Sequence, residues 1–406
     1  MKSIFKTLDN FFFGRHQIFD KAFLCLVFLF GFSTIYLDRP KLSVIAASIV
    51  VVLFFISLVS SLLKRDIHLW LCMPIVAVII TIPFFSNLVA KKFDYDFIIL
   101  AALFFSGFQY YIKNKSTNLY KLIISLGSGF SIGSLLIVFH YIRVGFANKM
   151  DMFFGNVDGV SGITSTIAVI LLVTIYLLAK NKNNNYYFFL YFLLVPLLLI
   201  SFIFLRIGPV VKIFIGFFVF FSVLLYKKNR YLVFIPVALL FTLLVIVLFT
   251  DIGSFFNRFR LSIYQIINLN VFVEGSVRER LSMLVRDIDY ALRYAFIGHG
   301  KNTYLAYNLT PSHNAFGTIS ENYGSLLLII LMVVSILPVM FSSNKKNRIF
   351  AITFLSLTIY SVVYGTCFIS RYHYLILGTI VATSIDNLGV KALSLFKKNN
   401  RKAYDE

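Results

Sequence analysis

The chain has 406 residues, of which 59% are apolar, 17% aromatic and only 14% charged. This composition excludes a soluble enzyme, and apolar runs long enough to cross a bilayer recur along the sequence, which predicts an all-α polytopic membrane protein. The formal net charge of +21 is typical of basic cytoplasmic loops in such a protein and does not indicate nucleic-acid binding.

Residues 1–21 are polar and of mixed charge, so no cleavable signal peptide is expected. About twelve candidate transmembrane helices follow. The connections at 205–207 and 368–370 are so short that either pair of spans could merge or become re-entrant. The predicted spans centre on 22–37, 42–63, 67–90, 97–112, 119–142, 158–180, 186–205, 207–226, 231–252, 322–341, 348–367 and 371–389.

Loops rich in lysine and arginine alternate along the chain with loops that contain most of the carboxylates, and basic loops are typically cytoplasmic. This pattern predicts that both termini are cytoplasmic. The chain then divides into nine spans in 1–252, an extracytoplasmic loop at 253–321, and three spans with a basic tail in 322–406. The long loop is itself rich in arginine, against the trend. Charge in a long loop has little influence on topology, but these arginines need another explanation.

The long loop contains a predicted amphipathic helix at 277–295. Ser276 and Glu279 fit a capping box at its start, and Gly298 and Gly300 follow its end. Such a helix would lie along the outer leaflet or close over a cavity between spans. Its arginines would then contact either lipid phosphates or the phosphate of a substrate. The apolar positions that share one face are Leu281, Leu284, Val285, Ile288, Leu292 and Ala295.

Three cations stand at or inside predicted membrane boundaries, where an ionisable residue is a candidate functional group. Arg206 lies between two apolar runs, and Arg371 begins the last span. Snorkelling to lipid headgroups is the alternative interpretation of Arg206. Lys212 lies deeper, inside a span, and therefore requires a partner or a water-filled cavity.

Other chemistry-bearing residues give weaker signals. The three cysteines, Cys25, Cys72 and Cys367, fall within predicted spans without metal-ligand spacing, which favours buried packing. Asp94-Tyr95-Asp96 has the D-x-D pattern of metal-using sugar transferases, but it falls on the outer side, where a solvated loop is favoured. His299 and His313, with Glu321 nearby, could hold zinc, although their spacing is not distinctive. No nucleotide-binding motif is present, which argues against ATP-driven transport on this chain alone.

The loop motifs have a recognisable order. They read Arg280-Leu281, Gly298-x-Gly300, His313-Asn314 and Glu321-x-x-Gly324. This order resembles the O-antigen polymerase and O-antigen ligase superfamily, which includes capsule and exopolysaccharide polymerases. Leu284 stands where the family usually has tryptophan, and Ala295 stands where it usually has proline. Two earlier segments, 153–169 and Leu205–Gly208, resemble family segments as well, the second without its serine.

The resemblance implies a GT-C-like fold and metal-independent glycosyl transfer that uses no cofactor. The expected activity is polymerisation of undecaprenyl-pyrophosphate-linked oligosaccharides into O-antigen, capsular or exopolysaccharide on the outer face of a bacterial inner membrane. Arg206 and Arg280 would bind the pyrophosphate, because a planar guanidinium makes bidentate, permanently charged contacts. His313 would act as general base. Residues expected to bind substrate are Arg278, Arg286, Asn314, Glu321 and Arg371.

Besides the lipid-linked oligosaccharide and membrane lipid, the expected partners are a chain-length regulator and a flippase. Three other functions stay open from the sequence. A ligase would transfer the finished glycan to another acceptor with the same leaving group. A flippase or transporter should have two related halves and charged spans, whereas the large loop has no counterpart in the first half. A non-catalytic scaffold would leave the arginines and His313 without a purpose.

Overall fold

The structure is a computed structural model, and for a few residues within its helices, including 275–282 and 284, only the backbone is described. Predicted features outside the described residues, among them Arg206, His313 and most of the span at 231–252, have no structural account here. The described residues are 16–34, 48–59, 68–91, 96–113, 118–144, 150–151, 155–179, 190–203, 207–233, 235–236, 238, 275–300, 314–342, 344–364 and 370–385.

The described part of the chain is helical apart from a pair of two-residue antiparallel strands, Met150–Asp151 and Gly155–Asn156. Apolar runs form helices because backbone groups in a membrane must satisfy one another within the segment. Short 3-10 turns lie at Tyr191–Leu193 and Arg230–Val233. The α-helices are α1 (His16–Thr34), α2 (Ser48–Val59), α3 (His68–Val89), α4 (Asp96–Lys113), α5 (Asn118–Val144), α6 (Val157–Ala179), α7 (Leu194–Ile203), α8 (Ile207–Lys228), α9 (Gly275–Arg293), α10 (Ala315–Tyr323), α11 (Ser325–Phe341), α12 (Lys345–Tyr364) and α13 (371–385).

Three of these helices are long and apolar enough to cross a membrane, through the segments Cys72–Val89, Leu119–His140 and Pro209–Tyr226. The protein is therefore a helical membrane protein. Every predicted span other than 231–252 overlaps a helix of the described residues. The figure of about twelve spans stays a prediction, because several of the apolar helices are short.

The loop helix was predicted at 277–295 and is observed as α9, Gly275–Arg293. Ser276 therefore lies inside the first turn of the helix and does not precede it, a shift within the usual uncertainty of helix ends. The last predicted span also begins differently. Gly324, with φ +97°, separates α10 from α11, so residues 315–323 form a short helix of their own before the apolar run.

Long-range contacts join helix ends that the sequence predicts on the same side of the membrane. At one end, Nη2 of Arg371 on α13 lies 3.2 Å from Oδ1 of Asp96 at the start of α4. At the other end, Nζ of Lys346 on α12 donates to the carbonyl of Leu177 on α6 at 2.8 Å. The contacts thus follow the alternation of basic and acidic loops. The loop helix α9 belongs to the end that contains Asp96 and Arg371, since the segment that follows it binds the end of α3.

Candidate functional site

The loop helix α9 presents two faces of different character. Met283 and Asp287 are buried against the protein, and the side chain of Asp287 has no exposed surface. On the opposite face Val285 and Leu292 are 69% and 78% exposed. The described members Val285, Ile288 and Leu292 of the predicted apolar stripe therefore point away from the bundle and do not close over a cavity. A carboxylate occupies the face that packs on α10.

The segment that follows α9 runs beside the junction of α10 and α11. The backbone N–H of His299 donates to the carbonyl of Glu321 at 2.9 Å, and the N–H of Gly300 donates to the carbonyl of Asn322 at 2.8 Å. The N–H of Leu326 donates to the carbonyl of Ala295, also at 2.8 Å. These bonds bring together two motifs that are separated in sequence, Gly298-x-Gly300 and Glu321-x-x-Gly324. We call residues 294–300 and 321–326 the loop junction.

The last turn of α3 forms hydrogen bonds with the loop junction and so connects it to the transmembrane bundle. Oγ of the buried Ser86 accepts a hydrogen bond from the N–H of Gly298 at 3.3 Å and donates to the carbonyl of Tyr323 at 3.2 Å. A single hydroxyl therefore forms hydrogen bonds with both segments of the loop junction, because it has one donor and two acceptor lone pairs. Gly300 packs closely on the same turn, because a Cβ there would lie 2.6 Å from Cβ of Ala90.

Two glycines of the junction have backbone conformations that other residues rarely adopt. Gly300 has φ +77° and Gly324 has φ +97°. A side chain at Gly324 would also lie within 2.8 Å of the backbone of Phe296. Both positions thus require glycine for conformation and for space, which accounts physically for two of the glycines in the motifs.

A pair of buried polar side chains joins α9 to α10. Nδ2 of Asn314 donates to Oδ2 of Asp287 at 2.9 Å, while Oδ1 of Asn314 accepts from the N–H of Gly317 at 2.5 Å and caps α10. Nη2 of Arg286 lies 3.5 Å from the other oxygen of Asp287. One amide therefore both caps a helix and holds a buried carboxylate. We call this contact the Asp287–Asn314 pair.

Aromatic rings surround His299 within the loop junction. The ring of Tyr294 lies edge-on at 3.9 Å between centroids, and the ring of Tyr290 lies at 6.1 Å. The imidazole thus packs against the end of α9. Within the ranges described, no three histidine, cysteine or acidic side chains form a group that could hold a metal ion.

The structure brings some of the predicted site residues together and separates others. Asn314 and Arg286 meet at Asp287, and Glu321 contributes its backbone carbonyl to the loop junction while its side chain is buried. Arg278 and Arg280 lie on α9, where only the backbone is described. Position 280 precedes Asp287 by seven residues, so the two share one helical face. Arg206 and His313 lie outside the described residues.

Arg371 occupies a different place, in an ion pair with Asp96 of the D-x-D sequence. Its side chain is 17% exposed, and that of Asp96 is 32% exposed. Glycines hold the two helices in close contact, because the backbone of α4 approaches Gly378 and the backbone of α13 approaches Gly107. The pair therefore fixes one helix start against another.

We expect Arg371→Gln and Asp96→Asn each to lower the free energy of unfolding by about 1 kcal/mol, because each breaks the same partly exposed pair. The double variant should lose no more than either single variant, which thermal denaturation in detergent would measure. If Arg371→Gln alone abolished activity while Asp96→Asn retained it, Arg371 would contact substrate, as the resemblance implies.

Lys212 has the partners that its position within a span requires. Its Nζ donates to Oγ1 of Thr166 at 3.1 Å and to the carbonyl of Gly162 at 3.3 Å, both on α6. The ring of Tyr360 on α12 lies 5.9 Å away. The buried cation thus joins α8 to the first turns of α6, and its polar contacts offset the cost of removing the charge from water.

The sequence pattern does not identify Asp287 or Ser86 as site residues. Met283, Asp287 and Tyr290 are spaced so that they share one face of α9, opposite the apolar stripe. This spacing indicates that Asp287 lies on the face that packs against the protein. Ser86 and Asn87 form a polar pair at the end of an otherwise apolar helix, which is a comparable signal. Both residues are buried.

Comparison with protein-family models finds no matching family, and comparison with curated proteins finds no matching sequence.

Proposed function

We propose that the protein polymerises undecaprenyl-pyrophosphate-linked oligosaccharides into O-antigen, capsular or exopolysaccharide by metal-independent glycosyl transfer. The observation that carries the proposal is the convergence of the loop motifs. Gly298-x-Gly300 and Glu321-x-x-Gly324 share backbone hydrogen bonds, and Asn314 binds the carboxylate of Asp287 on the loop helix. These contacts bring motifs from separate parts of the chain to one place, as a shared site requires.

The proposed reaction requires no covalent bond between the protein and the sugar, because the donor already contains its leaving group. The bond between the anomeric carbon and the pyrophosphate oxygen breaks, and a hydroxyl oxygen of the acceptor sugar bonds to that carbon. The hydroxyl proton passes to a base, and undecaprenyl pyrophosphate leaves. The protein must therefore neutralise the departing pyrophosphate, orient the acceptor and accept the proton.

The sequence offers a residue for each of these tasks. Arg280 and Arg206 bind the pyrophosphate, and His313, next to Asn314 in sequence, takes the proton. Support comes from the position of residue 280 on the helical face that contains Asp287. The Asp287–Asn314 pair fixes Asn314, the residue that follows His313 in sequence, since its amide is held by a contact on each side.

The site would face the outside of a bacterial inner membrane, with both termini in the cytoplasm and about twelve spans. The same-side contacts of the helix ends support this topology, because the loop junction lies at the end that the sequence predicts outside. An outer site also suits the chemistry, since a lipid-linked sugar already contains its leaving group and needs no nucleotide.

The test is a reconstituted reaction in vesicles, supplied only with the undecaprenyl-pyrophosphate-linked repeat of the host and resolved by glycan size. We expect a ladder of products, and we expect Arg280→Ala to reduce its rate about 10²-fold, because a charged donor to the leaving group is lost. Arg293→Ala is the matched control. Arg293 lies on the same helix, exposed and paired with Asp289, and its loss should leave the ladder unchanged.

Other outcomes of this experiment separate the rival functions. Product that forms only after a final acceptor is added would make the protein a ligase. Movement of labelled lipid across the bilayer without any glycan product would make it a flippase or transporter. Equal ladders from the wild type and Arg280→Ala would contradict the assignment of Arg280.

A further inference from the structure

Apolar side chains of α9 and the segment after it form an exposed stripe. Val285, Ile288 and Leu292 recur at helical spacing, and Phe296, just past the helix, is 72% exposed beside them. The opposite face of α9 is held by the Asp287–Asn314 pair, so the helix cannot rotate to bury the stripe against its own chain. An apolar stripe of this kind requires an apolar partner.

The position of the stripe identifies that partner. The segment after α9 is bonded to Ser86 at the end of α3, and the stripe therefore lies near the end of a helix that is apolar enough to span a membrane. The last turns of α3 themselves expose Phe85, Leu88 and Val89. Exposed apolar side chains of a membrane-spanning helix thus lie at the same end of the bundle as the stripe of α9.

Charged residues lie beside the apolar stripe, as in helices that are embedded in a membrane interface. Arg293 and Asp289, an exposed ion pair, border the stripe on one side. Arg286 is bound at Asp287 toward the protein. A helix with an apolar stripe and charged flanks lies in the plane of the interface, with its apolar side chains among lipid chains and its cations near lipid phosphates.

We propose that α9 is an interfacial helix whose stripe, Val285, Ile288, Leu292 and Phe296, inserts among the lipid acyl chains of the leaflet at that end of the bundle. The inference goes beyond the proposed transferase and does not depend on it. One consequence concerns the site: Asp287, on the opposite face, is then held close to the depth of the lipid phosphates. A pyrophosphate attached to a membrane-anchored chain occupies the same depth.

The test uses tryptophan fluorescence in the 406-residue chain, which contains a single tryptophan, Trp70. In a Trp70→Phe background, Leu292→Trp reports on the stripe, and Val285→Trp provides a second reporter on the same face. Arg293→Trp is the matched control, because it is adjacent in sequence but lies on the charged flank. Each variant is reconstituted into phosphatidylcholine vesicles with or without bromine atoms midway along the acyl chains.

Brominated lipid should quench the Leu292→Trp and Val285→Trp emission about twofold, and it should quench Arg293→Trp clearly less. Emission at long wavelength without quenching would place the stripe in water and overturn the proposal. Emission at short wavelength without quenching would also overturn it, because protein, such as a second copy of the chain, would then cover the stripe.

Discussion

Replacement of Gly298 by valine is expected to disrupt the loop junction and to abolish the glycan synthesis that we propose. A Cβ atom at this position would meet the backbone of Asn322 and Tyr323, with the carbonyl oxygen of Asn322 2.6 Å away. Backbone atoms cannot move aside as the end of a flexible side chain can. The hydrogen bonds from His299 and Gly300 to the facing segment would have to break. We expect a loss of about 3 kcal/mol in the free energy of unfolding, measured by thermal denaturation in detergent.

Gly162→Ala is the matched control for this substitution. Gly162 lies in α6, and a Cβ there would meet no atom within 4 Å. Alanine also favours a helix over glycine, so the unfolding temperature should stay the same or rise slightly. A Gly298→Val variant as stable as the wild type would show that the two segments of the loop junction are not in contact. Loss of stability in Gly162→Ala as well would point to a general intolerance of substitution.

The helices are well predicted from the sequence, and their physical cause is simple. Apolar runs bounded by charged loops must form helices in a membrane, because no water is available for the backbone. The predicted 158–180 and 207–226 are observed as Val157–Ala179 and Ile207–Lys228. Which helix ends meet is not encoded in this pattern. The contact of Arg371 with Asp96 joins residues far apart in sequence. From the sequence alone, Arg371 could pair equally well with any other carboxylate in an outer loop.

The candidate site is predicted less completely. Asn314 and Glu321 were identified through short motifs, and the structure places both near the loop junction. The contribution of Glu321 includes its backbone carbonyl, which no side-chain motif can indicate. Asp287 was missed because a carboxylate on a charged helix resembles any solvated residue. Only the packing of α9 on α10 shows that its side chain is fully buried.

Exchange of the two residues in the Asp287–Asn314 pair should show whether stability and the proposed activity depend on the contact itself or on which residue has the negative charge. Asn314→Asp alone places a second carboxylate beside the buried Asp287. It also removes the amide that donates to Oδ2 of Asp287 at 2.9 Å. Repulsion and the lost hydrogen bond should cost about 3 kcal/mol in the free energy of unfolding. Aspartate still caps a helix well, so the loss would come from the contact with Asp287 and not from the end of α10.

The double variant Asp287→Asn with Asn314→Asp restores one donor and one carboxylate in the reversed order. We expect it to recover about 2 kcal/mol relative to Asn314→Asp, measured by thermal denaturation, because residues in contact are energetically coupled. The proposed glycan synthesis should recover less than stability, since the charge has moved from the face shared with position 280 to the residue next to His313. Full recovery of activity would mean that the pair acts only as a structural tether. If Asn314→Asp alone is as stable as the wild type, Asp287 and Asn314 do not touch, and the position of α9 over α10 must be held by other contacts.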